Sequence, residues 1–282
     1  MSVRWLLPLF SFLAFTSGCT NLISGVTSQL ADDLAGSILN SEDIDTVREG
    51  IPAYLLLIDS FLIRSPHSEE LLMAASNLNG SFSALVGNEH RTKLLASKAL
   101  AYAERAACAA QSNLCQIRSD RFKVAESKIA VLTESDVPIA YSLAVAWVGW
   151  IQAHSEDWAA VGELGKVKAL MGRVIELDER YESGGPHLYM GGLETILPAS
   201  LGGNPEKGKA HFERALAIDS RYLMTKVIYA EQYARLVFDQ ALHDRLLQEV
   251  IAADPKIDGM TLTNKVAQVR ARDLLLTSTE YF

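Results

Sequence analysis

The sequence has no cluster of positive charge and none of the short motifs that mark hydrolases or metal enzymes. Its 26 Lys and Arg side chains stand against 34 Asp and Glu in 282 residues, a formal charge of −8. A nucleic-acid partner would need a face rich in Lys and Arg, so we expect none. The six histidines form no H-E-x-x-H motif and there is no G-x-S-x-G elbow, so we expect no metal, no cofactor and no enzyme activity. A triad assembled across the sequence would leave no such motif, and an envelope hydrolase therefore remains an alternative.

The sequence also lacks an apolar run long enough for a permanent membrane helix at its start. The run from Trp5 to Phe15 has about a dozen residues, whereas a bilayer-spanning helix needs roughly 20. Arg4 precedes this run and Thr16-Ser17-Gly18-Cys19 follows it, which is typical of an export signal ending in a bacterial lipobox. We predict a lipoprotein signal peptide over residues 1–18, with an ordinary signal peptide and a chance cysteine as the alternative.

Acylation of Cys19 would place several lipid chains on the new N-terminus, as stable membrane anchoring requires. Residues 19–42 would then be the lipidated N-terminus and a tether. Residue 20 is Thr and not Asp, which in a Gram-negative host directs a lipoprotein to the outer membrane. We expect a periplasmic body that is anchored to a membrane by lipid.

Only two further cysteines occur, Cys108 and Cys115, and no C-x-x-C motif is present. On one continuous helix their Cα atoms would lie about 10 Å apart, too far for a disulfide. The segment Gln111-Ser112-Asn113 between them is typical of a turn, which would bring Cys115 back. The sequence leaves open whether the two are bonded, and it makes a metal or redox role the weaker interpretation.

Period-two alternation is absent from about residue 43 onward, and apolar residues recur at spacings of three and four. This pattern predicts an all-α domain over residues 43–282. Turn signals divide it into segments of about 15–20 residues, which indicates a string of helical hairpins. The signals are Ser65-Pro66, Gly87-Asn88, Ser112-Asn113, Asp136-Val137-Pro138, Ser183-Gly184-Gly185-Pro186, Gly202-Gly203-Asn204-Pro205, Asp254-Pro255 and Asp258-Gly259.

Three segments repeat one layout. RVIELDERY (173–181), RALAIDSRY (214–222) and EVIAADPKI (249–257) each carry a charged residue, an apolar pair, and then Asp at a helix exit. Their starts are 41 and 35 residues apart, the range of tetratricopeptide-type (TPR) repeats with loop insertions. We therefore predict stacked antiparallel helical hairpins of TPR type, and generic amphipathic helices that end alike are the alternative.

The stretch GNPEKGK (203–209) matches a P-loop except at its last position, where Ala210 replaces Ser or Thr. A P-loop follows a buried strand, and no strand pattern precedes this stretch. Asn204 suits a helix N-cap and Pro205 the first helical position. We predict a capped helix start and no nucleotide site.

Aromatic residues supply the candidates for a ligand or partner groove. Trp147 and Trp150 lie three apart and share a helical face, with Tyr141 about one and a half turns earlier. His187 and Tyr189 follow the Gly184-Gly185 break and could face the same groove. Ordinary core packing is the alternative for the aromatic residues, and a loop position is the alternative for His187.

The apolar stretch IPAYLLLIDSFLI (51–63) is too short to span a membrane. We expect it to form a fully buried helix. Asp59 within it would be structural, either paired or turned to solvent.

Several of these runs together resemble the T-component family of TRAP transporters, the TatT-like lipoproteins, over about residues 45–278. The most specific part holds the motifs G-x-P-H-L-x-x-G and P-x-x-L-G-G-x-P-E-K, in the run that ends at residue 207. The lipobox at Cys19 is similar to that of the family as well. The resemblance implies a non-catalytic, lipid-anchored TPR-type protein that assembles as a homo-oligomer, a trimer.

The partner implied by the resemblance is the solute-binding protein of a TRAP system, which passes small ligands to a membrane permease. The leading hypothesis is a tethered scaffold that docks this partner and assists ligand transfer. The alternatives are a carrier of an apolar ligand in its own groove and an envelope-assembly TPR lipoprotein unrelated to transport.

Overall fold

The computed structural model describes residues 33–282. Within that range the chain contains helices and connecting loops and no strand, so the all-α prediction is confirmed. Residues 33–39 are helical. The α-helices that follow are α1 (Ile44–Arg64), α2 (Glu69–Ser83), α3 (Glu89–Ala109), α4 (Phe122–Ala130), α5 (Val137–Ala153), α6 (Trp158–Val161), α7 (Leu164–Asp178), α8 (Tyr181–Thr195), α9 (Pro205–Ile218), α10 (Met224–Ile228), α11 (Gln240–Ala252), α12 (Thr261–Leu276) and α13 (Ser278–Tyr281). Glu134–Asp136 and Ala199–Leu201 are 3₁₀ turns, and α10 continues as a π-helix over Tyr229–Ala234.

The helices begin and end where the sequence places turn chemistry. The side chains of Asp43, Ser68, Asn88 and Asp239 each cap the helix that follows by accepting from a backbone N–H of its first turn. Such a cap satisfies donors that have no partner within the helix. The predicted breaks at Ser65-Pro66 and Gly87-Asn88 separate α1, α2 and α3.

Consecutive helices pack against each other, and the largest cluster of buried apolar residues runs from α1 to α8. Helix α2 contacts α3, α3 contacts α5, α5 contacts α7, and α7 and α9 contact α8. Trp147, Leu143 and Leu170 lie in this core with almost no exposed surface. A second cluster joins α9 to α12 around Phe212 and Leu247. Helices joined by short loops and packed in chain order are consistent with stacked hairpins of the TPR type.

The two ends of this stack meet. Asn40 donates to Asp258 Oδ1 at 2.9 Å and accepts from the backbone N–H of Gly259 at 2.7 Å. Glu42 pairs with Lys256 at 2.7 Å and with Lys265 at 3.3 Å. Helix α1 therefore contacts both α2 and the start of α12, and the row of helices closes on itself.

The expectation of a fully buried helix over residues 51–63 is wrong for one face of that helix. Ile51 and Leu55 are buried, but Leu56 is 72 % exposed and Ile63 is 82 % exposed. Helix α1 packs against α2 and α12 with one face only, so apolar residues on its other face contact solvent. Asp59 is structural, because its carboxylate accepts from both Lys98 and Tyr102.

No single helix in residues 33–282 is long and apolar enough to cross a membrane. The two segments Phe122–Ala130 and Glu134–Ala153 pass that test of length and composition only when combined across a bend of 116°.

Candidate functional site

Helix α8 starts with a backbone distortion at the break predicted by Ser183-Gly184-Gly185-Pro186. Glu182, Ser183 and Gly184 adopt left-handed conformations, with φ of 46°, 57° and 84°. The first two are not glycine, and a left-handed residue with a Cβ costs about 1–2 kcal/mol. Strain of this kind persists where the surrounding structure holds it in place, and it concentrates at functional sites.

A group of tyrosines lies beside this left-handed turn. The ring of Tyr141, on α5, meets the ring of Tyr181 at 5.1 Å and that of Tyr189 at 6.0 Å between centroids, in edge-on arrangements. Tyr222, just before α10, is close enough that it adds to the effect of burial in raising the pKa of Tyr141 and Tyr189. We call Tyr141, Tyr181, Tyr189 and Tyr222 the tyrosine cluster.

Glycine permits the contact between this cluster and the turn. A Cβ added at Gly185 would lie 2.2 Å from the hydroxyl oxygen of Tyr141. The hydroxyl therefore sits directly over the backbone of α8, in space that any other residue would fill.

His187 does not share a groove with Tyr189, although both lie on α8. Two positions along a helix correspond to a rotation of about 200°, so the two side chains point to opposite sides. His187 is 6 % exposed and faces α9, where its Nδ1 lies 2.8 Å from Nδ1 of His211. Its Nε2 lies 3.2 Å from Glu179, which Arg214 also binds. Burial lowers the pKa of both His187 and His211.

The two tryptophans of α5 do not form an open aromatic face. Trp147 is fully buried, and its Nε1 donates to Glu163 Oε2 at 2.6 Å. Trp150 is covered by the guanidinium of Arg118, 3.9 Å from its ring centroid. Helix α5 packs against α3 on one side and α7 on the other, so the face that carries Trp147 is core. In this structure Trp147 does not line a groove, which corrects that reading of the sequence.

Sequence reasoning singled out Tyr141 and Tyr189 but missed Tyr181 and Tyr222. A signal for both was present, because each is the last residue of a repeat: RVIELDERY ends at Tyr181 and RALAIDSRY at Tyr222. Equivalent positions in stacked repeats lie on equivalent sides of the stack. The repeat layout therefore could have predicted that these two tyrosines lie on the same side of the stack.

The stretch GNPEKGK is the start of α9 and packs closely on α8. Asn204 Oδ1 accepts from the backbone N–H of Lys207 at 3.2 Å, and Pro205 is the first residue of the helix. A Cβ at Gly208 would lie 2.5 Å from the Thr195 side chain, and one at Gly203 would lie 1.6 Å from the carbonyl oxygen of Leu197. Close packing of α9 on α8 requires Gly208, and the tight loop between the two helices requires Gly203.

Cys108 and Cys115 form a disulfide, with their Cα atoms 4.4 Å apart. The turn after α3 reverses the chain, and Gln111 takes a left-handed conformation within it. The bridge closes this turn and lies outside the tyrosine cluster.

Two surface grooves of residues 33–282 contain none of the four clustered tyrosines. One groove of about 570 Å³ lies between α9, the π-helix and α11, and Lys209, Glu213, Asp239, Arg245 and Glu249 are among its lining residues. A second of about 450 Å³ lies between the start of α3 and the end of α5. In the same part of the chain, no group of three or more His, Cys, Asp or Glu side chains is placed to hold a metal ion.

Comparison with known proteins places the chain in a family. A search of the curated proteins finds no match. The sequence model of the TRAP transporter T-component family matches residues 40–282, the region that holds the helices, the left-handed turn and the tyrosine cluster. A match over most of the chain confirms the resemblance that the sequence motifs indicate. The chain belongs to the TRAP transporter T-component family.

Proposed function

We propose that this protein is a non-catalytic scaffold that docks the solute-binding protein of a TRAP system and assists the transfer of its ligand. The observation that carries the proposal is the family match over residues 40–282, which supports a role in a TRAP transporter. The stacked helices offer the extended surface on which repeat proteins bind partners.

The position of the motif residues supports this role. The run of motif residues follows directly on the left-handed turn and forms the part of α8 that carries Tyr189 and the capped start of α9. Its glycines allow α8 to approach Tyr141 and α9 closely. The residues that best mark the family therefore build one local structure, in which backbone strain and unusual packing coincide.

The docking role is tested by copurification. The mature protein, residues 19–282, would be immobilised and exposed to a periplasmic extract from its own host. We expect recovery of a TRAP-type solute-binding protein whose gene lies beside this one. Absence of such a gene, together with recovery of no such protein, would remove the main support for docking.

We also propose that Cys19 is acylated and holds the protein at the periplasmic face of a membrane, the outer membrane in a Gram-negative host. Cys19 and the predicted signal peptide lie outside the described residues. Confinement near the membrane would raise the effective concentration of a soluble partner there. Labelling cells with a fatty acid should mark the wild type but not Cys19→Ala, and equal labelling of the two contradicts the anchor.

We propose that the protein assembles as a homo-oligomer, a trimer. This proposal rests on the family resemblance. Sedimentation velocity of residues 19–282 should give a species of three times the mass of the chain, and a monomer at all concentrations tested would contradict it.

Direct binding of a ligand by this protein is the second candidate function. The convergence of Tyr141 and Tyr189 beside the strained turn favours it. Because Trp147 is buried, the candidate site for a ligand is the tyrosine cluster and not the pair of tryptophans.

A further inference from the structure

One side of α1 carries a continuous set of exposed apolar side chains. Leu56 is 72 % exposed, Ile63 is 82 % exposed, and Leu57 and Phe61 are about half exposed. A turn of 3.6 residues places all four within about 160° of the helix surface. Within residues 33–282, every other helix carries at most two exposed large apolar residues. Scattered apolar residues are ordinary on a surface, but a continuous set marks contact with a protein or a membrane. We call these four residues the apolar face of α1.

The other side of α1 makes all the contacts that hold this helix in the fold. Ile51, Leu55 and Leu62 are buried there, and α1 packs against α2 and α12. The carboxylate of Asp59 accepts from Lys98 and Tyr102 of α3. The apolar face takes no part in these contacts, so packing within residues 33–282 does not account for its composition.

Charges of both signs lie beside the apolar face. Arg64 ends α1, and Arg105 reaches the next turn by donating to the carbonyl oxygen of Pro66 at 3.0 Å. Glu69 and Glu70 follow in the first turn of α2. A partner that is recognised by the sign of its charge would find no match here, so the apolar side chains decide what binds. The first half of α1 also exposes charges of both signs, those of Asp45, Arg48 and Glu49.

The anchor proposed at Cys19 brings a membrane within reach of this face. Residues 20–32 separate Cys19 from the described part of the chain, and an extended chain of that length reaches about 45 Å. Leu56 and Ile63 lie about 18 and 29 Å along α1 from its start at Ile44. The tether is therefore long enough for the apolar face to lie on the membrane that holds the lipid.

A second copy of the chain fits the apolar face less well than a membrane does. A stable interface between proteins uses roughly 20–30 residues a side, and four apolar side chains on one half of a helix are few for that. A helix that lies in the surface of a bilayer needs only one apolar face, buried by about 5–10 Å. Because the anchor raises the local concentration of membrane, a weak contact is sufficient.

We propose that the apolar face of α1 inserts into the headgroup and upper acyl region of a lipid bilayer and orients the anchored protein on it. The lipid at Cys19 holds the protein near the membrane, and this face determines which side of the helical stack turns toward it. The inference rests on the lipid anchor of the proposed function and adds to it a second, non-covalent contact with the membrane.

The test measures whether this face enters a bilayer when a tag replaces the lipid. Residues 19–282 with Cys19→Ser would carry an N-terminal hexahistidine tag and bind phosphatidylcholine vesicles that contain a nickel-chelating lipid. A polarity-sensitive fluorophore would be attached at Ser60→Cys, an exposed polar position on the same side of α1. Cys108 and Cys115 are bonded to each other, so no other thiol reacts. The matched control is a label at Ser127→Cys, exposed on α4.

We expect the emission of the Ser60→Cys label to move to shorter wavelength on the vesicles and to be quenched by lipids with a nitroxide on the acyl chain. The Ser127→Cys label should show neither effect. Leu56→Ser/Ile63→Ser should lower the ratio of inserted to free face at least about tenfold, because two large apolar side chains leave the bilayer.

A second double variant controls for the loss of exposed apolar surface as such. Leu201→Ser/Leu276→Ser changes residues that are 59 % and 79 % exposed elsewhere on the molecule, and it should leave the Ser60→Cys signal unchanged. All four substituted positions are exposed, so the thermal melts of both double variants should match that of the wild type.

Absence of quenching at Ser60→Cys, or equal quenching of the two labels, would overturn the proposal. So would quenching that Leu56→Ser/Ile63→Ser does not reduce. A smaller assembly of this variant than of the wild type in sedimentation velocity without vesicles would show that a second copy covers the face, and would overturn the proposal as well. Because the tag replaces the lipid, the result does not depend on acylation of Cys19. Failure of this contact and failure of the fatty-acid labelling are therefore distinguishable.

Discussion

Glycine positions control how closely α8 approaches its neighbours. A Cβ at Gly191 would lie 2.8 Å from the Phe212 ring, and one at Gly203 would lie 1.6 Å from the Leu197 carbonyl oxygen. A side chain can rotate away from a new methyl group, but a backbone carbonyl cannot do so without moving the loop. Gly203 is therefore the less replaceable of the two.

Gly203→Ala should lower the free energy of unfolding by more than about 2 kcal/mol, because the new methyl group displaces backbone. Gly87→Ala is a matched control, since nothing lies within 4 Å of its added Cβ. The control should change stability by less than about 0.5 kcal/mol. Urea denaturation of the two variants measures the difference, and equal midpoints would contradict the close backbone contact described for the loop between α8 and α9.

Trp147→Ala should destabilise the protein by about 3–5 kcal/mol, the usual cost of removing a buried aromatic side chain. Trp147 is fully buried and Trp158 is 77 % exposed, so Trp158→Ala should cost less than about 0.5 kcal/mol. Loss of ligand binding in Trp147→Ala would therefore report unfolding. A small effect of this substitution on the denaturation midpoint would show that Trp147 is not in the core.

For single residues, the sequence predicted which side chains are candidates better than it predicted which way those side chains point. It identified Tyr141 and Tyr189 as candidates, and both lie at the tyrosine cluster. It could not show that Trp147 points into the core, because every face of α5 is rich in apolar residues and small ones. Direction depends on which helices pack on each side, and that is a property of the whole stack.

The contact between α8 and α9 should depend on pH. His187 and His211 meet through their Nδ1 atoms, a contact that holds one proton, and Glu179 with Arg214 faces the same pair. Burial lowers the pKa of both histidines below 6.5. The unfolded chain takes up protons near its ordinary pKa of about 6.5, at a pH where the folded protein does not.

Both histidines are neutral in the folded and the unfolded protein above pH 6.5, so there this pair costs no stability. The free energy of unfolding should fall as the pH drops below 6.5. Urea denaturation across pH 5–7.5 measures the slope, and His211→Gln should reduce it. Arg214 and then His187 lower the pKa of Glu179 to about 2. The stability that this carboxylate contributes is therefore lost in a separate pH range, as the pH falls below its ordinary pKa of 4.5. A wild-type stability that rises as the pH falls from 6.5 to 5 would contradict the assignment.

The disulfide stabilises the turn after α3. It closes a short loop, with a sequence separation of 7, and the loss of chain entropy in the unfolded state predicts a stabilisation of about 2–3 kcal/mol. The Cys108→Ser/Cys115→Ser double variant should lose about this amount in denaturant without reductant. Addition of dithiothreitol should lower the midpoint of the wild type and leave that of the variant unchanged.

Most positions at which helices begin and end could be predicted from the sequence, because they depend on local chemistry. Asn88 and Asn204 cap the helices that the sequence predicted to begin there. The exposure of one face of α1 could not be predicted, because its apolar pattern does not show that only one side packs against other helices. The pairing of Cys108 with Cys115 was left open for a related reason, because it depends on the conformation of a turn.

The closure of the stack is a feature of the whole molecule that the sequence did not predict. Asn40 and Asp258 are 218 positions apart, and no local pattern specifies a contact of that range. The all-α class and the family were predictable, since one depends on periodicity and the other on the motifs before residue 207. The tyrosine cluster combines both scales, because the repeats supply Tyr181 and Tyr222 and long-range packing sets Tyr181 against Tyr141.

The central claim is that this T-component docks a solute-binding protein. Sedimentation velocity of residues 19–282, mixed with the TRAP-type solute-binding protein encoded beside it, tests the claim directly. A TRAP-type solute-binding protein from an unrelated system serves as the control. We predict a faster-sedimenting complex with the first protein and none with the second. Separate sedimentation of both mixtures at about 100 μM, well above the micromolar affinity expected of a transient partner, would contradict the account.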